Sequence, residues 1–108
     1  MLKIIAATFM FAASAAVASP HAGRACSAVA ESSVTVARSA ELGVPWKTVE
    51  DVHSKVHTSP GKATDVVLAI QREAYYRWAN LGPSNVRTLA YTKCMQELPD
   101  AVREDNLK

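Results

Sequence analysis

An all-α fold, a small antiparallel bundle of about four helices closed by one disulfide behind an N-terminal signal peptide, is what this sequence predicts. Three observations carry that reading. Apolar residues recur at helical spacing in four stretches, and Gly or Pro marks the breaks between them. The first residues have the layout of an export signal, so the chain is expected in an oxidising compartment. Its two cysteines, Cys26 and Cys94, fall near the start of the first stretch and the end of the last.

Met1, Leu2 and Lys3 precede an apolar run from Ile4 to Val17, and small residues follow around Ala18. One positive charge, a hydrophobic stretch shorter than a bilayer span and the signature Ala16-Val17-Ala18 make residues 1–18 a signal peptide. Residues 19–24 are read as a short N-terminal segment, 25–99 as the helical domain and 100–108 as a flexible charged tail. The expected location is the periplasm or the extracellular medium. Gly23-Arg24-Ala25 before Cys26 makes no lipoprotein cleavage box, so no stable membrane anchor is expected after cleavage. What remains, about 90 residues, suits one small domain.

From Ala25 to Leu42 the chain is Ala-rich, and Cys26, Val29 or Ala30, Ser33, Val36 or Ala37, and Ala40 form one stripe, with Glu31, Thr35 and Arg38 off it. Leu42-Gly43-Val44-Pro45 ends it: Gly43 suits the left-handed position, Val44 can fold back, and Pro45 forbids continuation. A second helix is expected from Pro45, with Trp46, Val49, Val52 and Val56 inward and Thr58-Ser59-Pro60-Gly61 as its break. The third, from about Ala63 to Leu81, places Val66, Val67, Ile70, Ala74, Trp78 and Leu81 on one face and Gln71, Arg72 and Arg77 outside it. After Gly82-Pro83, Ser84 or Asn85 is the expected cap of a fourth helix carrying Val86, Leu89, Ala90, Cys94 and Leu98 inward and stopped by Pro99.

The first and fourth helices of an up-down-up-down order bring Cys26 and Cys94 to the same end of the bundle. Both phenylalanines, Phe9 and Phe11, lie in the signal, so the core rests on Val, Leu, Ala and Ile with Trp46, Trp78 and the tyrosines. Small domains with so thin an apolar supply need a staple.

Function is bounded more by exclusion. Twelve Lys and Arg against 10 Asp and Glu give a formal net charge of +2, scattered without a block of one sign. Nucleic acid is therefore not an expected partner, because that needs a clustered basic face. No nucleophile stands in a recognisable setting, Glu31, Glu73 and Glu97 read as ordinary surface acids, and the protein is read as non-enzymatic with no cofactor. His53 and His57, four apart, with Glu50 three before the first, form a candidate metal site. His21 behind Ser19-Pro20 is no copper site, since Pro20 has no amide proton to give up. Tyr75 and Tyr76 stand about 100° apart on a helix, so one of them reaches the surface. With Arg72 and Arg77 they make the best candidate surface for contact with another protein.

The signal peptide, Cys26, the Ala-rich helix ending in Gly43-Val44-Pro45, the central helix with Tyr75-Tyr76 and the closing Cys94 resemble a loose group of small exported two-cysteine helical proteins of Gram-negative bacteria. The resemblance implies fold and compartment and no reaction. The favoured expectation is a periplasmic or secreted protein-binding module. A periplasmic stress chaperone (holdase) is the alternative, and a metal carrier using His53 and His57 a third. Intact-mass measurement of the exported product tests the reading: the expected mass starts at Ser19, carries no lipid and is two protons short of the dithiol form, whereas retained residues 1–18 or two alkylatable thiols contradict it.

Overall fold

The structure, a computed structural model, describes residues 20–54 and 61–107. The expected signal peptide, Ser19, Val56, His57, the Thr58-Ser59-Pro60 break and Lys108 lie outside the described residues. The fold is all-helical: α1 (Pro20–Glu41), α2 (Trp46–Ser54), α3 (Lys62–Tyr76), a 3-10 turn (Ala79–Leu81) and α4 (Pro83–Asn106). The three long helices pack on one another, α1 and α3 each against α4 and running opposite to it, while the short α2 covers one end of α1 and α3.

The core has two connected halves. In one, Cys26, Val29 and Ala30 of α1 meet Val67 and Ile70 of α3 and Ala90, Cys94 and Leu98 of α4. In the other, Val36 and Ala37 meet Val49, Ala74 and Val86, and the half-buried Trp78 packs against both. No aromatic side chain is fully buried among the described residues; Ile70 is the largest that is. The Cys26–Cys94 disulfide spans 68 residues of sequence across the α1–α4 seam, with the Cα atoms 5.5 Å apart. Small neighbours on that seam, Ala30 and Ala90, let the helices approach this closely.

The end of α1 follows the expectation from Gly43. Its φ is +83°, Val44 N–H donates to Ser39 O and Gly43 N–H to Ala40 O, which is the paired closure of a Schellman motif. The start of α1 does not follow: residues 20–24, expected as a short leading segment, are its first turn.

Other boundaries need correction. The third helix stops at Tyr76, where Arg77 and Trp78 N–H both donate to Glu73 O, and the chain passes through the 3-10 turn instead of continuing to Leu81. That turn seats Trp78 between the two core halves and leaves Leu81 exposed. The fourth helix starts at Pro83 with Gly82 as its cap, and neither Ser84 nor Asn85 caps it; Asn85 Nδ2 donates instead to Leu81 O. Val52 is exposed because α2 turns Trp46, Val49, Glu50 and His53 toward the bundle, and Val52 lies about 60° from Val49 on the far side. Leu89 is exposed because the covered stripe of α4 is the narrow series Val86, Ala90, Cys94, Leu98 and Ala101. Gln71, expected outside, is buried at 2% exposure.

The largest correction concerns the tail. Pro99 does not stop α4, which runs on to Asn106, so residues 100–106 are helix and not a flexible segment. Pro99 removes one helical hydrogen bond, and contacts beyond it offset the loss. Leu98 and Ala101 are buried on either side of it. The Asp105 carboxylate accepts from Lys62 N–H at 2.9 Å and Ala63 N–H at 3.0 Å, serving as an N-cap for α3 supplied from another helix. Gly61 makes the approach possible: a Cβ there would lie 2.9 Å from Asp105 Oδ2. Lys62 and Glu104 add an exposed ion pair at 3.4 Å.

Asp105→Ala is therefore expected to lower stability by about 1 kcal/mol, the usual worth of an N-cap. In urea unfolding the midpoint should fall with the slope unchanged, and amide exchange should quicken at Lys62, Ala63 and the last turn of α4. An unaltered midpoint would show that the cap contributes nothing.

Candidate functional site

The most concentrated aromatic surface forms where α1 hands over to α2. The Schellman closure and Pro45 turn the chain back, and that reversal sets Trp46 beside α3. Its indole meets Tyr75 edge-on at 5.5 Å between centroids and lies 6.1 Å from Tyr76, while the two tyrosine rings are 4.8 Å apart. The Arg72 guanidinium sits 5.5 Å from the centre of the Trp46 ring, within cation–π range. Arg72 also faces Glu50 at 3.8 Å, which ties α3 to α2 by charge as well as by ring contact.

The neighbouring tyrosines divide their roles as helical geometry requires. Tyr75 is half-buried, and its hydroxyl donates to the Val44 carbonyl at 2.6 Å, so it locks the α1–α2 corner. Tyr76 is 62% exposed and presents its ring outward from the cluster. Arg77, also exposed, pairs with Glu73 one turn earlier at 3.7 Å. Of the four candidate contact residues, Arg72, Tyr76 and Arg77 lie at the surface and Tyr75 serves the corner. Trp46, expected only as core, completes the surface. The signal for it was the Pro45 stop, which forces the following residue back against α3.

The candidate metal ligands are divided. Glu50 faces Arg72, and His53 Nδ1 lies 3.3 Å from Gln71 Nε2, with Gln71 also donating to Ser32 Oγ at 2.9 Å. His57 lies outside the described residues, and among those described no cluster of three or more His, Cys, Asp or Glu side chains is placed to hold a metal. Glu31, Glu73 and Glu97 do not face one another; they pair with Arg87, Arg77 and Lys93. Two buried polar atoms among the described residues have no hydrogen-bond partner, Trp46 Nε1 and Gln71 Oε1. Both belong to the α2–α3 side of the molecule, where polar groups are least completely satisfied.

On the other side, Arg87 clasps Glu31 across α1 and α4, with Nε to Oε2 at 2.7 Å and Nη2 to Oε1 at 3.4 Å. This hydrogen bond, aided by the charge of Arg87, holds the Glu31 carboxyl below its ordinary value and keeps Arg87 more firmly protonated. No helix among the described residues is long and apolar enough to cross a membrane.

Comparison with protein families, with curated proteins and with solved structures finds no match to this chain. The surface itself must therefore carry the functional reading. It offers ring faces and guanidinium donors in a fixed arrangement.

The Glu31 clasp gives a pH prediction. Because the folded carboxyl titrates below its unfolded value, its stabilising contribution is complete above the unfolded value and is lost as pH falls through the folded one. Both partners are exposed, so salt should weaken the effect. NMR titration of the Glu31 carboxyl should give a midpoint below the ordinary glutamate value, and Arg87→Ala should raise it; equal midpoints in the two proteins would show that Arg87 does not set it.

Proposed function

We propose that the protein is an exported, non-enzymatic binding module that contacts another protein through the surface formed by Arg72, Tyr76 and Arg77 on their Trp46–Tyr75 support. The observation that carries this reading is Tyr76, an aromatic ring left 62% exposed yet held against two other rings. An exposed ring that is already ordered loses little side-chain freedom on binding, and tyrosine beside arginine is the composition favoured where interface energy concentrates. The export layout of residues 1–18, the Cys26–Cys94 disulfide and the absence of a membrane-crossing helix among the described residues support a periplasmic or secreted location. The resemblance to small exported two-cysteine helical proteins points to the same compartment.

A photo-crosslinking residue at position 76 in the exported protein tests the reading. One discrete protein adduct is expected there, with none from position 88 on the exposed far side of α4. Tyr76→Ala and Arg72→Ala should each weaken capture of the cross-linked partner about tenfold or more, while the unfolding free energy of Tyr76→Ala from urea titration falls by no more than about 1.5 kcal/mol, the worth of its ring contacts. No adduct, or the same adducts from both positions, would remove the proposed surface.

A further inference from the structure

A second face, distinct from the aromatic one, carries an apolar groove between α1, α3 and α4. One stretch of about 490 Å³ has Ala25, Ala28, Val29, Val67 and Leu98 among its walls. A second of about 320 Å³ meets it at Ala25 and Leu98 and continues past Ala22 to Val102 and His21. Among the described residues, no Asp, Glu, Lys or Arg lines either stretch. The hydrogen-bonding groups of the larger stretch are Ser32, His53 and Gln71, gathered where Gln71 touches the other two.

Gln71 is 2% exposed, and its Nε2 is committed to Ser32 and His53 while Oε1 is buried with no partner. A buried carbonyl without a donor is costly, and such atoms in native folds call for an explanation. From Ser32 to His21 the helical rise gives the groove a length of about 16 Å, the reach of a chain of roughly twelve carbons.

We infer that this groove binds a neutral, single-chain amphiphile, with the alkyl chain along Ala25, Ala28 and Leu98 and a hydroxyl or amide head donating to Gln71 Oε1. The unpartnered carbonyl selects the head: a neutral donor supplies what Oε1 lacks, and among the described residues no Lys or Arg lines the walls to hold an ionised carboxylate or phosphate. Ser32 and His53 are half-exposed and admit the head by the side-chain adjustments common on binding.

The test titrates the purified, disulfide-closed protein with 1-dodecanol below its aggregation limit and follows amide shifts by NMR. Saturable shifts are expected at Ala25, Ala28, Val67, Leu98 and the Gln71 side-chain amide. Gln71→Leu should weaken binding about tenfold. Ala28→Trp should abolish it, since Ala28 is exposed and a large side chain there fills the groove without entering the core; Ala25→Trp, also at an exposed position, serves if the first variant fails to fold. Absence of saturable shifts, shifts confined to the Trp46–Tyr76 face, unchanged affinity in both a folded Trp variant and Gln71→Leu, or tighter binding of dodecanoate than of dodecanol would each overturn the inference. So would groove shifts that depend on protein concentration alone, which would identify a second copy of the chain as the occupant.

Discussion

The covalent bond between Cys26 and Cys94 is the constraint on which the rest of this structure depends. Closing a loop of this length removes about 4 kcal/mol of conformational freedom from the unfolded chain by chain-entropy reckoning. That is a large share of the roughly 5–15 kcal/mol by which small domains are stable. The core around it is made of Val, Ala, Ile and Leu with no fully buried aromatic ring among the described residues, so few large apolar contacts compete with it. The bond also fixes geometry: it holds α1 and α4 at a spacing that only small residues such as Ala30 and Ala90 permit. α3 then packs into the trough that the joined pair creates, and α2 closes one end.

The opposite end is secured by polar contacts. Asp105 caps α3 from the last turn of α4, and Gly61 leaves the room for its carboxylate. Each helix thus supplies what the other lacks: Gly61 gives α3 no side-chain cap of its own, and α4 has a charged last stretch in need of a partner. The Pro99 break in the hydrogen-bond ladder is survivable because burial of Leu98 and Ala101 and the Asp105 cap hold both sides of it.

The short α2 helix links the fold to both the aromatic face and the apolar groove. Its first residue, Trp46, supports the Tyr75–Tyr76 face, and His53 near its end contacts Gln71 at the head of the apolar groove. A helix this short brings few apolar side chains to its contact, with Val49 as its buried anchor. The two buried polar atoms without partners, on Trp46 and Gln71, lie beside it. Native folds leave few buried polar atoms without partners, and both of these lie at the surfaces proposed to bind a partner or ligand.

The sequence by itself determined the all-α class, the small-residue stripe of α1, the Gly43 stop and the division of Tyr75 and Tyr76 between inside and outside. Each of these follows from local geometry: the helical period, the one residue type that tolerates positive φ, and the angle between adjacent helical positions. Tertiary structure alone decided that Gln71 is buried, that Val52, Leu81 and Leu89 are not, and that the helix runs through Pro99. A helix has more apolar positions than its neighbours cover, and which of them are covered depends on where those neighbours lie. The Asp105 cap joins groups more than 40 residues apart, so no reading of either segment alone contains it.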